Sequence, residues 1–145
     1  MNRRWHELCA MSAGMANKIE DLPIYHKAVA FWSAVNAILD SPRLRKDRRL
    51  HEQICNANDS ITSNMVEGFE QGTDRAFANF LIHSKASLAE VLTRLKQAYF
   101  KKYISEEQLK PQLTNGEELG KMLGGFIKYL RRADWDDRGS HRSAE

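Results

Sequence analysis

The chain between residues 50 and 98 contains two series of regularly spaced, mainly apolar residues. A short glycine-containing segment separates them. The second series recurs at alternating steps of four and three residues, the pattern of a helix packed against other helices; its members are Phe77, Leu81, Ser84, Leu88, Val91, Leu95 and Ala98. The first series has the same character through Leu50, Ile54, Ala57, Ile61 and Asn64, and it ends at Gly68. This stretch predicts two long antiparallel helices joined by a short turn.

The segment between the two series carries the signals of a helix end followed by a helix start. A glycine, Gly68, ends the first helix, and Thr73 or Asp74 caps the second. Folding the pair about residue 71 places Asn58 across from Ser84. Because buried polar groups need hydrogen-bond partners, the sequence predicts a buried hydrogen bond between these two side chains.

The rest of the chain supplies two further helices. One begins near Pro23 and ends before Ser41-Pro42, and the last begins at the capping box Ser105-Glu106-Glu107-Gln108. Pro111 lies past the first turn of the last helix and is expected to kink or restart it, with Asn115 as a second helix start. The predicted fold is an all-α, up-down-up-down four-helix bundle. Its domains are an N-terminal arm (residues 1–20), the bundle (21–133) and a polar C-terminal tail (134–145).

Two helices offer more contact surface than one bundle core uses. The first helix has a second apolar row beside its main one, formed by Tyr25, Trp32 and Leu39. The last helix has Gly116, Gly120 and Gly124 on one face, and each glycine costs about 1 kcal/mol relative to alanine in a helix. Such a stripe indicates close approach by another helix. Both features predict a homo-oligomer, with these six residues at its interface.

A run of residues from Gln53 to Gly68 resembles the second-helix signature of a bacterial four-helix bundle family, which includes proteins encoded by intervening sequences in large-subunit ribosomal RNA genes. The family pattern reads roughly Gln-Leu-x-x-Ala-x-x-Ser-Ile-x-x-Asn-Ile-Ala-Glu-Gly, and the chain has Gln53-Ile54-Cys55-Asn56-Ala57-Asn58-Asp59-Ser60-Ile61-Thr62-Ser63-Asn64-Met65-Val66-Glu67-Gly68. After the turn, Phe80-Leu81, Ala86-Ser87 and Glu90 stand at matching places. The resemblance covers about residues 21–132.

This resemblance implies a pentameric ring, and it implies structural roles for the motif residues Asn64, Glu67, Gly68, Ser87 and Glu90. The family is related to the accessory variability determinant of diversity-generating retroelements, which makes a nucleic-acid enzyme such as a reverse transcriptase a candidate partner. The chain departs from the family where arginines are common: Cys55 and Asn56 replace two of them, and Glu70-Gln71 replaces a Gly-Arg pair. These departures weaken an inherited nucleic-acid role but leave the fold unaffected.

Positive charge is concentrated in two segments, although the chain as a whole carries only +3. Folding about residue 71 brings Arg48 opposite Arg94 and Lys46 opposite Lys96, so both segments meet at one end of the bundle. The candidate nucleic-acid-binding residues there are Arg43, Arg45, Lys46, Arg48, Arg49, Arg94, Lys96, Lys101 and Lys102. Tyr99, Phe100 and Tyr103 add aromatic rings. Such a patch binds phosphates with strong salt dependence. No base-reading helix or stacking platform is apparent, so binding is expected to be independent of sequence.

Catalytic, metal and cofactor chemistry find little support in the sequence. His51 and Cys55 share a helix face, but no third ligand with suitable spacing accompanies them. Glu67 and Glu90 lack the Glu-x-x-His spacing of a di-metal bundle. The chain is therefore expected to be a non-enzymatic, cytoplasmic protein without a cofactor or a membrane span. Two roles stay open: an oligomeric module that binds RNA, DNA or a nucleic-acid enzyme, and a scaffold or protein-binding adaptor without a nucleic-acid role.

Overall fold

The computed structural model describes residues 16–142, with side chains through residue 133. Within that part of the chain the structure is all-helical. A 3-10 turn at Ile19–Asp21 precedes five helices: α1 (Pro23–Leu39), α2 (Pro42–Lys46), α3 (Arg48–Glu70), α4 (Asp74–Phe100) and α5 (Glu106–Arg142). The four long helices form a helical bundle, and the short α2 lies in the connection between α1 and α3.

The helix ends follow the local signals in the sequence. Pro23 is the first residue of α1, and Thr73 Oγ1 accepts a hydrogen bond from the backbone N–H of Ala76 at the start of α4 (3.2 Å). At the start of α5, Ser105 Oγ accepts from Gln108 N–H (3.2 Å), and Gln108 Oε1 accepts from Ser105 N–H (2.9 Å). The predicted capping box is therefore confirmed. The basic segment adds one feature that was not predicted, the separate helix α2.

The bundle core contains the predicted apolar series. Ile54, Ile61, Leu81, Val91 and Leu95 have no exposed surface. The rest of the two series is also buried, apart from Asn64, which is half-buried. Since apolar burial is the main driving force of folding, this central pair of helices is the framework on which α1 and α5 pack.

Hydrogen bonds between α3 and α4 define their antiparallel register. Ser60 Oγ accepts from Ser87 Oγ (2.9 Å), and the Asp47 carboxylate at the other end of α3 accepts from Lys101 Nζ (2.9 Å). The two helices therefore pair about Thr73 instead of residue 71. The partner of a given α3 residue lies about one helical turn further along α4 than predicted.

The predicted hydrogen bond between Asn58 and Ser84 was wrong. Both side chains are fully buried, but Ser84 Oγ donates to the carbonyl of Ile61 (2.8 Å). The Asn58 Nδ2 group donates to α1, to the Trp32 carbonyl (3.0 Å) and to Asn36 Oδ1 (3.2 Å). Asn58 therefore points to α1, so it fixes the position of α1 on α3 and not that of α4.

Two glycines near the turn have different structural roles. Gly72 has φ +76°, a left-handed conformation that glycine adopts without steric cost, and it follows the end of α3 at Glu70. Gly68 lies inside α3, where a Cβ atom would stand 2.5 Å from Phe80 Cβ and 3.0 Å from Phe77 Cδ2. The helix therefore continues past its predicted end at Gly68, and Gly68 instead permits close approach of α4.

The last helix is continuous, so of the two expectations at Pro111, a kink or a restart, the restart does not occur. Pro111 lies inside α5, and no new helix begins at Asn115. The backbone of α5 extends through residues 134–142 of the predicted tail. Of the predicted N-terminal arm, residues 1–15 lie outside the described part of the chain, while Ile19 is buried in the core.

Candidate nucleic-acid interface

Two connections of the chain meet at one end of the bundle. The α1–α2 connection contributes Ser41, whose Oγ donates to the Tyr103 carbonyl (2.9 Å), and α2 contributes Arg43, whose Nη1 donates to the Lys102 carbonyl (3.3 Å). Both carbonyls belong to the segment that joins α4 to α5. These bonds hold the basic segment of residues 43–49 against the basic end of α4.

The Asp47 carboxylate is the central acceptor at this end. It accepts a hydrogen bond from the backbone N–H of Leu50 (3.2 Å) at the start of α3. It also accepts from Lys101 Nζ (2.9 Å) and from the Tyr103 hydroxyl (3.1 Å). The hydrogen bond from Lys101 is the largest of the effects that hold the pKa of Asp47 below its usual value. The same contact raises the pKa of Lys101, so both groups are charged near neutral pH.

Around Asp47 lies an open groove with a strong excess of positive charge, here called the basic groove. Its lining residues are Arg43, Lys46, Asp47, Arg48, Arg49, Lys101, Lys102 and Tyr103. Six cationic side chains therefore line the groove with one carboxylate, which can neutralise only one of their six charges. The geometry suits a polyanion whose phosphates contact several of these cations together.

A second hollow adjoins the basic groove and is mainly apolar, and we call it the aromatic hollow. It is lined by Ser41, Pro42, Arg43, Tyr99, Phe100, Lys102, Tyr103, Ile104 and Ser105. Arg43, Lys102 and Tyr103 belong to both surfaces. The Tyr99 and Phe100 rings lie with their centroids 5.7 Å apart at an interplanar angle of 52°.

Lys102 takes an unusual backbone conformation where the two surfaces join. Its φ is +61°, in the left-handed region that favours glycine. Lys102 N–H donates to the Tyr99 carbonyl (2.8 Å) and Tyr103 N–H to the Ala98 carbonyl (2.9 Å). These two bonds form a Schellman motif that ends α4, with lysine in place of the usual glycine.

Three of the predicted cations do not line the basic groove. Arg45 Nη2 binds the carboxylate of Asp40 (2.7 Å) on an exposed part of the surface. Arg94 Nε lies 3.8 Å from the carboxylate of Glu90, which is one turn earlier on α4. Lys96 is exposed on the same helix, outside the groove. The shifted register explains the absence of Arg94 and Lys96, because it places residues 101–103 beside the basic segment, whereas Arg45 is held by Asp40.

Three of the family-motif residues, Asn64, Gly68 and Ser87, lie where α3 contacts α4. Asn64 Nδ2 donates to the carbonyl of Ser60 (2.8 Å) and to its Oγ (2.9 Å), and Ser60 Oγ also contacts Ser87. Glu67 and Glu90 are both exposed, and they lie near the end of α3 and in the middle of α4. They therefore do not form a paired-carboxylate site.

The residues assigned to an oligomer interface have different surroundings. Leu39 is buried in the core, and Tyr25 and Trp32 are half-buried, with Trp32 Nε1 donating to Asp59 Oδ1 (2.8 Å) on α3. The glycine stripe faces α4 of the same chain. A Cβ at Gly116 would stand 2.5 Å from Leu92 Cδ2, and Gly120 and Gly124 lie against Leu88 and Lys85. Leu39 and Gly116 therefore leave no exposed surface for a second chain, whereas Tyr25 and Trp32 are partly available.

The histidine and cysteine of the weak metal motif have protein partners. A ring nitrogen of His51 lies 3.2 Å from the Leu39 carbonyl, and the Cys55 thiol lies 3.9 Å from Asp59 Oδ2. Burial, followed by the charge of Asp59, raises the pKa of the Cys55 thiol. Among the side chains that the structure describes, residues 16–133, no group of three or more His, Cys, Asp or Glu could hold a metal ion.

Sequence reasoning missed two residues that shape this end of the bundle. Asp47 was not among the candidate residues predicted from the sequence, although an aspartate three residues before Leu50 is a helix N-cap signal. Phe100 was grouped with Tyr99 and Tyr103, but it falls outside the apolar series that ends at Ala98. That position off the series is the signal that Phe100 is exposed.

Together, the fold and this surface define a helical-bundle protein with one strongly cationic end. In the described residues, no helix combines the length and apolar character needed to cross a membrane. The chain belongs to the 23S rRNA-intervening sequence protein family, whose model matches residues 20–125. No curated protein matches the chain.

Proposed function

We propose that this protein is a non-enzymatic nucleic-acid-binding module that contacts phosphates through the basic groove. The observation that carries the proposal is the convergence of six cationic side chains from two distant segments around one carboxylate. Hydrogen bonds hold the two segments together, so the charges are presented in a fixed arrangement. The family name, which refers to 23S rRNA intervening sequences, supports RNA as the first nucleic acid to test.

The proposed bundle topology is up-down-up-down, supported by the antiparallel contact of α3 with α4 and by packing of α1 and α5 on that pair. We further propose that the bundle forms a homo-oligomer, with a pentamer as the expected form, in the cytoplasm. Exposed Val29 and half-buried Trp32 and Tyr25 on α1 support this assembly. Several copies of the basic groove would then act on one strand and increase avidity.

The proposal is tested by measuring the binding of mixed-sequence RNA and DNA as a function of salt. We expect binding at about 50 mM salt that weakens steeply towards 200 mM, with a log–log slope near −4 if all six cations contact a single strand. A variant with Arg43, Lys46, Arg48 and Arg49 replaced by glutamine should reduce the magnitude of that slope by about three. The helices of this variant should be unchanged by circular dichroism.

A matched control removes the same charge from the last helix. Lys121, Lys128, Arg131 and Arg132 are exposed on α5 and do not line the basic groove. Their replacement by glutamine should leave most of the affinity. If both variants lose affinity equally, binding follows net charge and not the basic groove.

The second candidate is a scaffold or protein-binding adaptor, whose partner could include a nucleic-acid enzyme such as a reverse transcriptase. The observation that favours it is the partly apolar face of α1, which a protein can cover without any phosphate. Absence of a mobility shift with both RNA and DNA at low salt would leave this candidate as the better explanation.

A further inference from the structure

Phe100 is far more exposed than any other large apolar side chain in the described part of the molecule. It has 76% of its surface accessible, whereas the next most exposed, Ile82, has 38%, and Val29 and Val66 have 36% each. An aromatic ring in this position contributes almost nothing to the core, because Leu95 and Ala98 already fill the inner face of this part of α4. The fold therefore gives no reason for a phenylalanine here.

The surroundings of Phe100 are specific. The ring lines the aromatic hollow together with Tyr99 and Tyr103, and Lys101 Nζ lies 5.7 Å from the centre of the Tyr103 ring. Arg43 and Lys102 line both this hollow and the basic groove. An exposed π-face thus stands directly beside a surface with an excess of positive charge.

This combination matches the chemistry of one ligand class. A single-stranded nucleic acid offers flat, unpaired bases and a phosphate on either side of each base. Base stacking on aromatic rings, with the backbone following a positively charged groove, is the general mode by which proteins bind single strands. A duplex cannot use the hollow in this way, because its base faces already stack on one another.

We propose that the aromatic hollow stacks an unpaired base on Phe100 while the flanking phosphates occupy the basic groove, so that the protein prefers single-stranded to double-stranded nucleic acid. This inference rests on the proposed function and replaces the sequence-based expectation that no stacking platform is present. The preference is for strandedness and not for base identity, since every base has a π-face.

The experiment compares Phe100→Ala and Phe100→Trp with the wild-type protein. Binding is measured with an unstructured single-stranded RNA and with a perfectly paired duplex RNA at the same low salt. Phe100→Ala should weaken single-strand binding by about tenfold, or about 1.4 kcal/mol, and leave duplex binding unchanged, because the stacking of one base is lost. Phe100→Trp should retain the single-strand preference. A single strand carrying 2-aminopurine should lose fluorescence on binding to wild type but not to Phe100→Ala.

The control is Ile82→Ala, which removes another exposed apolar side chain from α4 that does not line the aromatic hollow. It should bind both RNAs like the wild type. The stacking proposal is overturned if Phe100→Ala binds the single strand as tightly as wild type, or if it weakens single-strand and duplex binding equally. In either case, loss of binding in the four-glutamine groove variant still supports the proposed function. Failure of the wild-type protein to bind either RNA overturns both proposals.

Discussion

The backbone of Lys102 has the left-handed conformation that glycine adopts easily and that residues with a Cβ atom rarely adopt. The Schellman motif at the end of α4 requires a left-handed residue, and an L-residue with a Cβ is strained by about 1 kcal/mol or more in that region. Glycine would meet the requirement without that strain. The side chain of Lys102 instead lines both the basic groove and the aromatic hollow. Strained residues of this kind cluster at binding sites, where the side chain is needed.

Lys102→Gly should therefore have opposite effects on stability and on binding. We expect the free energy of unfolding to rise by up to about 1 kcal/mol, because the strain is removed, and the affinity for RNA to fall, because one phosphate contact is lost. Urea unfolding and RNA titration measure the two quantities. Lys102→Ala is the matched control, since it should lose the same affinity without the gain in stability. Equal stability of the two variants would contradict the strain argument.

The Asp47 carboxylate gives this end of the bundle a defined pH dependence. The pKa of Asp47 is lowered in the folded protein, mainly by the hydrogen bond from Lys101. The stabilising effect of Asp47 is therefore fully present above the pKa of the unfolded state, about 4, and is lost as the pH falls through the pKa of the folded state. Asp47→Asn keeps an N-cap acceptor but has no charge to titrate. In urea unfolding, the stability advantage of wild type over this variant should shrink as the pH is lowered below about 4.

The same variant should also bind RNA more tightly at neutral pH, by about threefold, because a carboxylate is removed from the proposed phosphate-binding groove. Anisotropy titrations at fixed salt test this result. Weaker binding by Asp47→Asn would mean that the hydrogen bonds of Asp47, rather than its charge, determine the affinity of the basic groove.

At the scale of the helices, the sequence predicted elements better than it predicted their relative positions. Proline, capping residues and apolar spacing define both ends of α1 and the starts of α4 and α5, because these signals act locally. The register of α3 against α4 was predicted wrongly because α3 continues two residues past Gly68. Gly68 permits close contact with Phe80 and does not end the helix. The error moved Arg94 and Lys96 into the predicted basic cluster. Local signals do not distinguish a glycine that ends a helix from one that permits close packing.

Substitution of two glycines by alanine separates these roles. At Gly68, the added methyl group would meet Phe80 Cβ, an atom that cannot move without its backbone, so Gly68→Ala should lower the free energy of unfolding by about 2 kcal/mol. At Gly125 on α5, nothing lies within 4 Å of the added atom. Gly125→Ala should therefore raise stability by about 1 kcal/mol through helix propensity alone. Urea unfolding of both variants measures the contrast, and a similar effect at the two sites would contradict the packing assigned to Gly68.

At the scale of the whole molecule, the charged surface and the apolar surface occupy different places. The basic groove lies where the α1–α3 connection meets the end of α4, while the partly apolar face of α1 includes Val29 and Trp32. Lys27 on that helix also binds Glu118 of α5 (2.8 Å). The proposed nucleic-acid binding and the proposed self-association can therefore be tested independently of each other.

A charge at Val29 tests the proposed assembly. Val29→Glu should convert a particle of several times 16.7 kDa into the monomer, because a carboxylate would be buried in the interface without a partner. Ile82→Glu on α4 is the control, with a similar exposed fraction on a helix that lies across the bundle. Multi-angle light scattering measures both. A monomeric wild-type protein, or an equal effect of the two variants, would contradict the assembly through α1.

The hydrogen bonds that join Ser41, Arg43 and Asp47 with residues 101–103 also determine when the basic groove forms during synthesis. The ribosome makes residues 43–49 first, and at that stage their charges belong to an open chain. Lys101 and Lys102 follow only after the whole of α4, and Tyr103 comes last. A growing chain therefore carries positive charge early, but these cations reach their fixed arrangement only when α1–α4 have been made and α5 is about to begin.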